Sequence, residues 1–146
     1  MLAYHLLYNK NMRLAIPNWQ GRVSVVFDEA RSVLLIDIQN CQVVARNEKS
    51  IISNDPLERS RMIADEKVDV LICGAISFVL KISMLATGVQ VIDNICGPID
   101  QVLTAFLNNK LSDPLYIMPG CNQRCRRRNR KRKGHNRERR FNQFPI

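Results

Sequence analysis

The side chains in this sequence best suited to chemistry are its five cysteines: Cys41, Cys73, Cys96, Cys121 and Cys125. Two of them stand in matching surroundings. Cys73 closes the apolar run 68–72 and is followed by Gly74 and Ser77. Cys96 comes shortly after the run 89–92 and is followed by Gly97 and Pro98. Thiolates are soft ligands; they hold iron–sulfur clusters and select soft metals. A free cysteine is also a small hydrophobe that is commonly buried in a core. The residues leave both readings open. The body has no histidine after His5, so a metal site there is sulfur-rich or incomplete.

The elements that must position these thiols follow from the surrounding pattern. Residues 68–72 are rich in β-branched side chains and read as a strand buried on both faces, as parallel strands do. Gly74 ends it. Ser77 can cap a helix over about 77–87 through its hydroxyl, and Gly88 suits a left-handed stop. That helix is apolar nearly all round (Phe78, Val79, Leu80, Ile82, Met84, Leu85), so it is expected to be deeply buried or shared with a partner chain. Residues 89–92 form a second strand. Gly97-Pro98 opens a helix over about 98–109, with Ile99, Val102, Leu103 and Phe106 on one face.

Upstream, residues 13–17 read as the first strand and 18–21 as a loop carrying the one tryptophan, Trp19, either the wall of a pocket or a cover over the core. Residues 23–27 are extended. Residues 32–38 and the more polar 42–49 form a hairpin turning at Gln39-Asn40, the latter strand at a sheet edge; Cys41 lies in the turn and has no assigned role. Asp55, Pro56 and Glu58 predict a capped helix to about Lys67 that buries Leu57, Ser60, Ile63 and Ala64. The order β-β-β-β-α-β-α-β-α implies an α/β protein with a mixed sheet and helices on its faces. Strands 13–17, 68–73 and 89–92 are expected to be parallel neighbours. Cys73 and Cys96 would then share the carboxyl edge of the sheet, where open α/β sheets bind ligands. Two helix amino termini would favour thiolate there, beside the loop 18–21.

Charge divides the chain. Residues 121–146 hold 11 Lys and Arg against one acid, Glu138, whereas residues 1–120 hold 11 basic and 12 acidic residues. The expected organisation is a leader over 1–11, a domain over 12–112 and a basic tail over 113–146, with Met12 a second candidate start. The tail is too polar to fold alone. Arg124, Arg126, Arg127, Arg128, Arg130, Lys131, Arg132 and Lys133 form a candidate arm for nucleic acid or another polyanion; a solubilising extension is the plainer reading. Cys121 and Cys125 lack zinc-ribbon spacing. There is no secretory signal and no run of membrane-spanning length, which points to the cytoplasm and reduced thiols.

Catalytic patterns are missing from the sequence. Two-metal nucleases need clustered carboxylates, and Asp28, Asp37, Asp69 and Asp93 are scattered over strand ends. No Ser-His-Asp set or phosphate-cradling glycine motif is present. The expectation is a protein without catalysis.

RLAIPNWQGRVSVVFDEA (13–30), DPLERSRMIADEKVDVLICGAIS (55–77), VQVIDNICGPIDQVLTAFL (89–107) and MPGC (118–121) together resemble the dinitrogenase iron-molybdenum cofactor biosynthesis family, the NifX type, also found as the carboxyl-terminal domain of NifB. The resemblance implies a ribonuclease H-like fold with a mixed five-stranded sheet. It implies a carrier or accessory protein for an iron–sulfur or iron–molybdenum type cluster, working with metallocluster assembly proteins; whether as a monomer or a homodimer the sequence leaves open. The candidate cluster-binding positions at the sheet edge are Asn18, Trp19, Cys73, Gly74, Ser77, Cys96 and Gly97; Cys73 and Cys96 are the candidate metal ligands, with the rest supplied by Cys121, by a second subunit or by the cluster itself.

Overall fold

The computed structural model describes residues 11–119. A mixed sheet of six strands, one more than expected, runs β4-β3-β1-β5-β6 with β2 beside β1. Its strands are β1 (Met12–Trp19), β3 (Ser32–Gln39), β4 (Gln42–Ser50), β5 (Val70–Ile72) and β6 (Gln90–Ile92), with a short β2 (Arg22–Val23) paired to β1. Three helices complete it: α1 (Pro56–Asp65), α2 (Phe78–Ala86) and α3 (Ile99–Leu107). β1 is antiparallel to β3 and parallel to β5, and β5 is parallel to β6. The three expected parallel neighbours are therefore adjacent, and the hairpin lies to one side with β4 as an exposed edge.

Alternation along the central strand splits the core in two. Leu14 and Ile16 join Ile72 in packing against α3 through Val102, Leu103 and Phe106. Ala15 faces the other way, with Leu71 and Cys73, toward Ile63 of α1 and Leu80 and Met84 of α2. Burying both faces is why β1 and β5 read as continuous apolar runs.

The first strand is longer than expected. Asn18 and Trp19 belong to β1 because they pair with Val23 and Arg22. The turn is only Gln20-Gly21, whose φ angles of 53° and 81° fit a two-residue hairpin. α1 also differs. Asp55 is its N-cap but makes no side-chain capping bond, so the expected capping box does not form. The helix stops at Asp65, and Arg59, Ser60 and Ile63 are its buried residues, while Leu57 is exposed. Arg59 lies over the Phe27 ring and donates 3.0 Å to the Phe27 carbonyl; burial lowers its pKa.

Residues 113–118, assigned to the tail by composition, are docked on the body. Pro114–Tyr116 form a 3-10 turn capped by Asp113, Ile117 bridges Ile95, and Met118 donates 2.9 Å to the Asn94 carbonyl. The leader residues 1–10, Cys121, Cys125 and the basic positions 124–133 lie outside the described residues. No helix among the described residues is long and apolar enough to cross a membrane.

Candidate functional site

Both cysteines leave parallel strands at the same edge of the sheet. The Cys73 N–H donates to the Ile92 carbonyl at 2.9 Å, and the Ile95 N–H returns to the Cys73 carbonyl at 2.9 Å, which laces the two strand ends together. Their environments are opposite. Cys73 is fully buried among Phe27, Leu71, Leu80 and Met84. Burial pushes its thiol pKa far above the ordinary range; Asp93 adds to the rise and Lys81 opposes it. The thiolate expected from the helix termini is thus strongly disfavoured at Cys73, because desolvation outweighs any dipole contribution. Cys96 is half-buried. Its backbone N–H is taken by the Tyr116 carbonyl at 2.9 Å, which ties the docked 113–118 segment to this loop.

The glycines and the serine have visible structural tasks. A Cβ at Gly74 would stand 2.4 Å from the Val25 carbonyl oxygen and 2.5 Å from that of Ser24. Residues 24–26 run beside 73–75, with Ala75 N–H to Val25 carbonyl at 2.7 Å and Phe27 N–H to Ala75 carbonyl at 2.8 Å. Gly74 is what permits that approach. Ser77 caps α2, accepting from the Leu80 N–H at 3.3 Å, and its own N–H donates 2.8 Å to Asp28 Oδ1. Gly97 has a φ of 122°, and its carbonyl accepts from Val23 while the Ile99 N–H reaches the Gly21 carbonyl. The β1–β2 turn is thereby clamped onto the start of α3.

Asn18 and Trp19 line a groove of about 610 Å³ together with Val25, Arg31, Ser32 and Glu48. Trp19 is 61% exposed, so it is a groove wall and not a cover over the core. Neither Cys73 nor Cys96 lines this groove. Glu48 accepts from Ser32 Oγ at 2.7 Å and Asn18 Nδ2 at 3.0 Å, and those bonds hold its pKa below the usual carboxylate range. An ionised carboxylate in the wall disfavours anions there. Sequence reasoning missed Ser32 and Glu48, because only strand pairing brings them to Asn18. Among the described residues, no three His, Cys, Asp or Glu side chains converge to hold a metal ion.

The four scattered aspartates have partners. Asp37 pairs with Arg13 at 2.7 Å, and Asp69 accepts from the Arg13 N–H at 2.8 Å, both at the edge opposite the cysteines. Asp28 holds Ser77, and Asp93 pairs with Lys81 at 3.2 Å.

Solved structures with this fold include PH0822 (24% identity, TM-score 0.64, covering 68% of this chain and 93% of that one). A dinitrogenase candidate from Methanocaldococcus jannaschii matches at 22% identity and a TM-score of 0.56, covering 68% and 91%. The apo orange protein from Desulfovibrio gigas matches at 17% identity and a TM-score of 0.57, covering 68% and 89%. At these identities the likeness establishes the fold alone. A search of curated proteins gives no match. The family model described as dinitrogenase iron-molybdenum cofactor matches residues 10–109, well over half of the sequence, and the chain belongs to that family.

Proposed function

We propose that this protein is a non-catalytic carrier or accessory protein that receives an iron–sulfur or iron–molybdenum type cluster, or its precursor, and hands it on during cluster assembly. The observation that carries this reading is the family match over residues 10–109, joined to the placement of Cys96 on the sheet's carboxyl edge. The reading takes the sheet as ribonuclease H-like, as the family resemblance implies. The cluster is cargo. The described residues fit loose tenure better than resident coordination, since they offer one half-buried thiol and one buried protonated thiol. Cubane clusters usually take four thiolates. Most ligands would therefore arrive with the cargo or from Cys121, and a cluster held by few protein ligands is easily passed on. Cys96 and Gly97 supply the contact surface, Cys73, Gly74 and Ser77 form the layer beneath, and Asn18 and Trp19 at the end of β1 border it. Metallocluster assembly proteins are the partners this role requires.

Anaerobic reconstitution of the full chain with ferrous iron and sulfide tests the reading, followed by visible absorption and bound iron. Cys96→Ser should lose most of the uptake, and Cys73→Ser should lose less while both variants stay folded. Undiminished uptake by the double serine variant would remove this edge as the site. Polyanion binding by the tail is a separate reading that rests on its charge and adds nothing to this edge.

A further inference from the structure

Among the described residues, nothing covers the apolar outer face of α2. Phe78, Val79, Ile82 and Leu85 are 76%, 60%, 47% and 46% exposed, while Leu80 and Met84 on the same helix are fully buried. Their spacing of i, i+1, i+4 and i+7 makes a stripe on one side of the helix, which is the pattern of a helix-packing seam. Together the four expose on the order of 500 Å² of apolar surface, a size at which a patch on a monomer is often functional. Val25, exposed and bonded through its carbonyl to Ala75, adds a further apolar side chain near the amino end of the helix.

We infer that α2 is the centre of a two-fold homodimer interface, packed against α2 of a second copy. Three observations choose this occupant. The stripe asks for a partner helix with an apolar stripe of similar length; among the described helices, α1 exposes one large apolar side chain, Leu57, and α3 has buried its apolar residues in the core, which leaves α2 itself. In a two-fold pairing the same patch meets itself, so the match is automatic. Charge also permits it. Lys81 is the one charged residue of α2, and its ammonium is held by Asp93 at 3.2 Å. Like therefore meets like without repulsion. α1, which packs beside α2, exposes Glu58, Arg61 and Asp65, so the neighbouring surface carries both signs. A standard interface takes about 800 Å² per partner, so the stripe supplies the apolar centre and α1 the remainder.

The test is sedimentation equilibrium of the full chain, in reductant so that the exposed Cys41 cannot cross-link copies, and in moderate salt. The expected result is a monomer–dimer equilibrium in the micromolar to tens-of-micromolar range. Phe78→Glu and Ile82→Glu should each weaken association at least tenfold while the far-UV spectrum and melting temperature stay close to those of the parent. Phe78 is exposed enough for its variant to fold even if Ile82→Glu does not. Ile52→Glu, at a 91% exposed position off the helix, should leave association unchanged. A chain that stays monomeric at about 100 μM overturns the inference, as does a dimer insensitive to both α2 variants. A monomeric full chain that dimerises once cut after Gly120 would place its own carboxyl segment on α2 and also overturn it.

Discussion

The units β5–α2 and β6–α3 are written alike, each with an apolar strand, a cysteine, a glycine and a helix start, yet they fold into opposite environments. In the first, the cysteine is sealed in the core and the helix leaves an apolar face outside. In the second, the cysteine is half-exposed and the helix buries five of its nine residues. The cause is spacing. Cys73 follows Ile72 directly and keeps the strand's alternation, so it shares the face of Leu71. Cys96 comes four residues after Ile92, beyond Asn94 with its φ of 62°, and has left the sheet plane. Exposure of a strand-end cysteine is thus set by how far past the last paired residue it stands, because pleat alternation persists only while the chain stays extended.

The largest contrast should come from the two glycines. At Gly74 a methyl group would press on two backbone carbonyls, and neither segment can swing aside as a flexible side chain could. Gly74→Ala should cost about 3 kcal/mol or more, in line with overpacking against fixed atoms. At Gly97 the nearest atom to an added Cβ is Val102 Cγ2 at 3.7 Å, so only the positive φ is penalised. Gly97→Ala should cost about 1–2 kcal/mol. Urea unfolding of both variants measures this. Equal losses would mean that the strand β5 edge yields more readily than its packing implies.

The buried thiol should also make stability depend on pH. An unfolded cysteine releases its proton near the ordinary thiol pKa of 9.0, whereas folded Cys73 keeps it because burial raises its pKa. Stability from this group is intact below that value and falls as pH rises above it, since unfolding then releases a proton. The slope is about 1.4 kcal/mol per pH unit for one such group. Urea midpoints of the parent and Cys73→Ala should converge as pH climbs from 8 to about 10. A parent curve no steeper than that of Cys73→Ala would show that the thiol is reached by solvent.

Much of the fold was legible because its signals are local. β-Branched runs, Pro56, Gly88 and Gly97-Pro98 punctuate the chain where elements begin and end. The order of those elements, with right-handed crossovers, was enough to place three parallel strands side by side. The site was less legible because its features depend on residues distant in sequence. The buried Arg59 donates a hydrogen bond to a carbonyl 32 residues away, and no local pattern announces that. Gly74 reads as a strand breaker, but the reason it must be glycine is the segment 24–26 lying against it. The stretch 113–118 looked like the start of the tail because Asp113-Pro114 and Pro119-Gly120 interrupt it, yet Ile117 finds a partner at Ile95. The nearly all-apolar α2 posed two outcomes, deep burial or a partner chain; Leu80 and Met84 are buried but Phe78, Val79, Ile82 and Leu85 are exposed, so deep burial does not hold.

The smallest expected effects concern how the two helices begin. α2 has a side-chain cap, Ser77, and a carboxylate, Asp28, on its first turn, whereas α3 starts at Pro98 without a side-chain cap. Ser77→Ala removes one acceptor from the Leu80 N–H and should cost about 1 kcal/mol, the usual value for a lost cap. Asp28→Asn leaves an oxygen to accept from the Ser77 N–H at 2.8 Å and removes only the charge. Its cost should be a few tenths of a kcal/mol, because the dipole contribution of a partly exposed charge is small. That difference should shrink with added salt, which screens a charge but leaves a hydrogen bond in place. Thermal melts of Asp28→Asn at low and high salt measure it. A loss that is large and indifferent to salt would mean that Asp28 braces the 24–28 segment against the 73–77 loop mainly through geometry, and that the amino end of α2 owes little to its charge.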